Sequence, residues 1–239
     1  MDIDLDLYGK ALVDFYQENY TEDITVLSPT MEDDILPLPY IFRSYEEMPP
    51  LEKKALELVQ GNVLDVGAGA GIHSLYLQEK GFDITALDQS KGACEVLVSR
   101  LDQNTKVVND NIWDHSEKYD TILLLMNGTG IFSTLKNVPD CLKKLKTLLH
   151  AKGQILIDSS DLKFLYEDDE DGGLWVDSSK EYYGEVTFSL HYKGMESAPF
   201  EWLYMDFELL KAYAIEAGFQ IELIQEGAHY DYLARLSIT

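Results

Sequence analysis

Five short β-like runs, at about 62–66, 83–87, 106–109, 119–126 and 154–159, alternate with helical patterns at about 71–80, 90–101 and 137–149. No other feature limits the possible folds of this chain as strongly. Strands that alternate with helices are joined by right-handed crossovers, so the sheet is parallel and covered on both faces. Ligands of such sheets gather at the carboxyl ends of the strands. Gly81 and Gly153 stand where helix C-terminal glycines belong. The first run leads from Val63-Leu64-Asp65-Val66 into Gly67-Ala68-Gly69-Ala70-Gly71 and then into a helix. Glycines here allow a tight turn and remove the side chains that would hold a ligand off, while the amides at the helix start face outward as free donors.

Both flanks of this core read differently. Leu5, Tyr8, Leu12 and Phe15 recur at helical spacing, and Pro29, Pro37, Pro39, Pro49 and Pro50 punctuate an irregular segment before a helix at about 51–59. Residues 1–50 are therefore expected to form an N-terminal helical cap or lid, and 51–239 the main domain. After Asp158 comes an insertion at about 161–205. It holds the acidic run Glu167-Asp168-Asp169-Glu170-Asp171 and Gly172-Gly173, read as a solvated loop because it lacks the ligand spacing of a calcium loop. Tyr182, Val186, Phe188, Leu190 and Tyr192, and then Phe200, Trp202 and Tyr204, alternate with more polar residues as in a hairpin with one apolar face. A helix at about 206–217 and strands near 219–226 and 230–238 complete the chain.

Composition narrows the function. With 19 Lys+Arg against 43 Asp+Glu, the formal charge is -24, which repels phosphate backbones and anionic lipid, so neither nucleic acid nor membrane is expected as a partner. No apolar stretch approaches the roughly 20 residues that span a bilayer, and the acidic Met1-Asp2-Ile3-Asp4 is unlike a signal peptide, so a cytoplasmic location is expected. Cys94 and Cys141 lack CxxC or histidine company, which speaks for buried free thiols over a disulfide or a metal site.

The run Leu64-Asp65-Val66-Gly67-Ala68-Gly69-Ala70-Gly71, together with the strand and helix order over most of 51–239, resembles the class I S-adenosylmethionine-dependent methyltransferases. The resemblance implies a Rossmann-like, doubly wound α/β sheet of seven mostly parallel strands with an antiparallel last strand. It also implies S-adenosylmethionine as cofactor. Asp65, Gly67, Ala68 and Gly69 then belong to the loop that wraps the methionine and ribose portions. A dinucleotide loop prefers Gly-x-Gly-x-x-Gly, and here position 72 is Ile72. Asp88 ends Ile84-Thr85-Ala86-Leu87-Asp88 about 20 residues beyond the glycines, where a carboxylate accepts from both ribose hydroxyls; its alternative role is to cap the helix after Ser90. Asp110, Asn111 and Ile112, in Val108-Asn109-Asp110-Asn111-Ile112-Trp113, match the adenine-contacting loop of the family.

Met126 and Asn127 end the fourth strand where cofactor and acceptor meet in this family, and the chain lacks the Pro-Pro-aromatic signature of enzymes that methylate nucleic-acid bases. Arg43, in Leu38-Pro39-Tyr40-Ile41-Phe42-Arg43-Ser44-Tyr45, has two readings: a bidentate partner of the cofactor carboxylate, or a neutraliser of Glu46 and Glu47. His73 stands alone near the glycine loop and reads as a capping or packing group. No protein nucleophile is required, since displacement at a sulfonium needs alignment above all. Asp158, at the end of the fifth strand, is the candidate base for an acceptor proton, with a turn-forming role as its alternative.

The aromatic hairpin and the cap would roof the strand ends and enclose a small organic acceptor, with Tyr182, Tyr192 and Trp202 as wall residues. The same face could instead pack on the sheet or form a homodimer surface. Three functions stay open: a small-molecule methyltransferase, a non-catalytic S-adenosylmethionine-binding regulator and a nicotinamide-dependent oxidoreductase.

Overall fold

A computed structural model describes residues 6–165 and 182–238. Leu5, the Met1–Asp4 terminus and the acidic run at 167–173 lie outside the described residues. The central element is a seven-stranded sheet of β3 (Val63–Val66), β4 (Ile84–Asp88), β5 (Lys106–Asn109), β6 (Tyr119–Leu124), β7 (Leu149–Ser160), β11 (Gln220–Glu226) and β12 (Asp231–Ser237). Its order is β11-β12-β7-β6-β3-β4-β5. The pairs from β7 to β5 are parallel, and β12 runs antiparallel to both β7 and β11. This is the expected doubly wound sheet with its reversed last strand.

Burial explains the arrangement. Every residue of β3 and β4 is buried, as apolar parallel strands covered on both faces must be. On one face, Leu142 and Leu145 of α6 (Val138–Thr147) and Leu210 and Ala214 of α7 (Phe207–Glu216) share a core with Ile122, Leu124, Ile155 and Ile157. On the other, Leu51 and Ala55 of α3 (Pro50–Glu57) and Leu77 of α4 (Ile72–Glu79) pack with Leu123, Leu156 and Leu233.

The second sheet joins the two flanks of the chain. Strands β1 (Ile24–Leu27) and β2 (Asp34–Leu36) form an N-terminal hairpin, and β8 (Glu185–Tyr192), β9 (Met195–Glu196) and β10 (Phe200–Leu203) come from the insertion. The order is β10-β8-β1-β2, with β9 also on β8, and Val26 lies opposite Leu190. Thus the segment that reads as irregular holds two strands as well as α1 (Leu7–Tyr16) and the single turn α2 (Leu38–Ile41). Strands of four and three residues leave little local periodicity to read, and β1 is held by a partner strand more than 150 positions away.

Two core boundaries also shift. Strand β6 stops at Leu124 because Met126 and Asn127 turn into the left-handed region, with φ of 65° and 61°. Helix α6 ends at Thr147, and Gly153 lies inside β7, where an added Cβ would meet Tyr119 O at 3.1 Å, so it serves strand packing and not a helix end. Gly81 does follow α4 with φ of 84°, as a helix C-terminal glycine should.

Candidate functional site

The glycine loop leaves β3 through three left-handed residues, Gly67, Gly69 and Gly71, with φ of 70°, 54° and 80°. Each faces something different. A Cβ on Gly67 would meet nothing within 4 Å, so this is bare backbone beside open space; a Cβ on Gly71 would strike Leu97 of α5 (Lys91–Arg100) at 2.7 Å, which fixes loop against helix. A Cβ on Gly69 would come within 2.7 Å of the Tyr8 hydroxyl of α1. The amides of Gly67 and Ala68 donate to Leu87 O at 2.8 and 3.1 Å, tying the loop to the end of β4.

Asp88 is the centre of this cradle. One carboxylate oxygen accepts from Gly69 N at 2.9 Å and the other from Ser90 N at 2.8 Å. Burial pushes its carboxyl up, and the Ser90 and Gly69 amides oppose that shift by favouring the charged form. The helix-capping role proper falls to Ser90, whose hydroxyl accepts from Ala93 N. Asp65 is buried and accepts from Ser74 Oγ at 2.7 Å, anchoring the first turn of α4 to β3. At the next strand end, Asp110 N donates to Asp88 O, Asn111 is exposed and its side-chain oxygen accepts from Trp113 N, and Ile112 is buried in the core. Asn109, which sequence reasoning passed over, donates to the carbonyls of Asp88 and Gln89 and joins the two strand ends.

On the other side of β3, Asp158 ends β7 under the left-handed Met126-Asn127 turn. Its carboxylate accepts from Met126 N at 3.1 Å and Gly128 N at 2.9 Å. Burial raises its carboxyl to about 6, with Glu52 adding to the rise while the two amides and His73 oppose it. The side chain of Asn127 is engaged: its oxygen accepts from Ser159 Oγ at 2.9 Å. Ser159 Oγ also lies 2.6 Å from Thr129 Oγ1 and accepts from Met205 N at 2.9 Å, which ties the β6 turn to the end of the insertion. No local pattern in the sequence marks this clip.

Arg43 meets neither Glu46 nor Glu47. Its guanidinium lies on Glu52 at 2.5 and 2.6 Å and donates to Tyr40 O at 2.6 Å, with the Tyr40 ring 3.8 Å away. Glu47 instead accepts from Ser44 N. His73, which reads as solitary in the sequence, is 2.8 Å from Glu52 through Nε2. Burial works against charge on both His73 and Glu52, yet their pairing wins: the imidazole is raised and the carboxyl lowered, so the group is a buried Arg–Glu–His ion cluster. Among the hairpin aromatics, Tyr192 is fully buried in the core of α1, α2 and β1, and Tyr182 donates to Asp206 at 2.7 Å. Trp202 lies directly over Gly130, where a Cβ would clash with its indole at 2.0 Å.

Residues 33–221 match a family model described as a methyltransferase domain. No curated protein sequence matches the chain. An S-adenosylmethionine-dependent methyltransferase from Bacteroides fragilis, solved in complex with S-adenosyl-L-homocysteine, is 43% identical; the match covers 100% of this chain and 97% of that one, with a TM-score of 0.91. The sugar N-methyltransferase KedS8 from Streptoalloteichus is 16% identical over 89% of this chain and 97% of its own, with a TM-score of 0.61. DesVI from Streptomyces venezuelae is 15% identical over 79% and 90%, at 0.58. These last two share the fold. The family match and the Bacteroides relative decide between hydride transfer and methyl transfer in favour of the latter. On the strength of its sheet order, its glycine loop and a relative alike along its whole length, the chain belongs to the class I S-adenosylmethionine-dependent methyltransferases.

Proposed function

We propose that this enzyme methylates a small organic acceptor bearing a hydroxyl or amine, with Asp158 as the base that takes the acceptor proton. The observation that carries the reading is the Asp158 carboxyl, raised to about 6 by burial at the end of β7 and held against the β6 turn by two amides. At pH 7 such a group is mostly ionised, and its affinity for a proton far exceeds that of a surface carboxylate. S-adenosylmethionine supplies a methyl activated by its sulfonium. With that cofactor bound, Asp158 would take the proton that the acceptor atom gives up as its lone pair accepts the methyl.

The cradle fits that cofactor. Gly67, Ala68 and Gly69 present backbone with room above Gly67, and Asp88 keeps lone pairs for ribose hydroxyls beside those used by Gly69 and Ser90. Asp65 holds the loop from beneath, and Asp110, Asn111 and Ile112 flank the adenine side. Met126 and Asn127 border the methyl, and Arg43 orders the lid side through Glu52. The described parts of residues 1–50 and of the insertion at about 161–205 act as the lid over the main domain of 51–239. The net charge of -24 supports an acceptor that is neither nucleic acid nor lipid. Two buried free thiols support a cytoplasmic setting, and among the described residues no helix is long and apolar enough to cross a membrane. Whether the enzyme works as a homodimer bears on none of these roles.

The test is formation of S-adenosylhomocysteine against a panel of amines and alcohols, for wild type and Asp158→Asn, across pH 5–9. Wild-type kcat/KM should rise through an apparent pKa near 6. Asp158→Asn should lose that limb and about 10²- to 10⁴-fold in kcat while still binding S-adenosylhomocysteine. A variant within tenfold of wild type, or a wild-type profile with no limb near 6, overturns the assignment.

A further inference from the structure

The N-terminal helix is built into the glycine loop, although neither the family motifs nor the sheet requires it. Asp6 caps two helices at once. Its carboxylate accepts from Gly9 N at 2.9 Å, at the start of α1, and from Ser90 Oγ at 2.7 Å and Gly92 N at 3.1 Å, at the start of α5. Because Gly9 and Gly92 have no side chains, the two backbones touch: a Cβ on Gly92 would lie 2.4 Å from Gly9 C. This docking delivers Tyr8, one position after Leu7, to the cofactor cradle.

The Tyr8 hydroxyl stands 2.7 Å from where a Cβ on Gly69 would lie, next to the open backbone of Gly67 in the same loop. It also lies close enough to Asp88 to feel its charge. Burial, then the Asp88 and Asp6 carboxylates, push its ionisation far above the usual phenol range, so Tyr8 remains a hydrogen-bond donor at any physiological pH. By contrast, Tyr16 on the same helix donates to Ser99 O and Tyr192 in the roof donates to Asp14. Asp88 faces the opposite limitation, because a carboxylate can only accept. A ribose hydroxyl that donates to Asp88 has lone pairs left over, and the cradle needs a donor aimed at them.

We propose that Tyr8 is a cofactor-binding residue of this enzyme, its hydroxyl donating to the ribose held by Asp88, with Asp6 as the positioning residue that docks α1 for the purpose. The inference rests on reading Gly67 and Asp88 as the cofactor cradle. It does not depend on the identity of the acceptor or on the role of Asp158.

Calorimetric titration tests it with two probes, S-adenosylhomocysteine and 5′-methylthioadenosine, which share the ribose and differ in the amino-acid tail. Removal of one hydroxyl in Tyr8→Phe should weaken both by a similar factor, about five- to tenfold, the range expected for a single net hydrogen bond. Tyr16→Phe on the same helix should leave both unchanged. Thermal unfolding without ligand should match wild type for each variant, since the ring and its packing are kept. Affinities of Tyr8→Phe within twofold of wild type overturn the proposal, as does a loss confined to S-adenosylhomocysteine, which would place the hydroxyl at the amino-acid tail. If wild type binds neither probe, the cradle reading itself fails, and that result is distinct from a Tyr8 variant that binds as well as wild type.

Discussion

Gly92→Ala adds one methyl group where the structure leaves no room for it. The new Cβ would lie 2.4, 2.5 and 2.6 Å from Gly9 C, O and Cα, all backbone atoms, so no side chain can swing aside. To reach an ordinary contact of 3.4 Å, α1 must back away from α5 by about 1 Å. That movement takes Gly92 N and Ser90 Oγ, now 3.1 and 2.7 Å from Asp6 Oδ2, to the limit of hydrogen bonding or beyond it. Bonds to a charged acceptor contribute about 1.5–3 kcal/mol each. Against this, Ala gains at most about 1 kcal/mol over Gly in helix propensity, less in a first turn. The clash wins, and a net loss of about 2–5 kcal/mol is expected, concentrated in α1 because the seven-stranded sheet does not rely on it. Hydrogen exchange should show α1 amides losing protection while those of β3, β4 and β6 keep theirs. S-adenosylhomocysteine should bind at least as weakly as to Tyr8→Phe. Wild-type protection across α1 together with wild-type affinity would refute the claim that the Gly9–Gly92 contact holds the helix in place.

Two further outcomes follow from buried polar groups. Glu52→Gln leaves Arg43 and His73 buried without their shared anion and should cost about 3–5 kcal/mol in denaturant unfolding. Because His73 is raised in the folded state above its usual 6.5, its share of that stabilisation is fully present below pH 6.5 and is lost as pH rises through the folded value, so the gap between wild type and variant should narrow on the alkaline side. Ser159→Ala removes a hydroxyl bonded to Asn127, Thr129 and Met205, and should cost about 2–4 kcal/mol by denaturant unfolding, since Met205 N and Asn127 Oδ1 are left without it.

What could be read from the sequence divides along a physical line. Strands β3, β4 and β6 are largely apolar runs buried on both faces, and the signals at their ends are local: Gly67, Gly69 and Gly71 need left-handed backbone, and Gly81 follows α4. Such features are written within a few residues of where they act. Asp88 belongs with them, because its offset from the glycines follows from one βαβ unit. The Arg43–Glu52–His73 cluster is different. Its members stand 9 and 21 positions apart on elements with no common period, so Arg43 beside Glu46 and Glu47 points to the wrong carboxylate. Tyr8 likewise counts as one more apolar position in the series Leu5, Tyr8, Leu12, Phe15, and only the packing of α1 on α5 turns its hydroxyl toward Gly69.

The second sheet shows why such residues leave no local mark in the sequence. Its sheet pairs β1 with β8 across more than 160 residues, Thr25 opposite His191, and its core is closed by Tyr192, whose hydroxyl reaches back to Asp14 in α1. Contacts of that sequence separation incur a large loop-closure entropy. The elements that complete the site are therefore those with the least stabilisation of their own. Asp6 joins the N-terminal segment to the central sheet's helices, since it bonds at once to α1 and to the N-terminus of α5, the helix that follows Asp88. Any movement of α1 away from α5 must break these bonds, whereas the Gly69 and Ser90 amides bond to Asp88 independently of them. The Gly69–Asp88–Ser90 bonds therefore do not depend on the docking of α1.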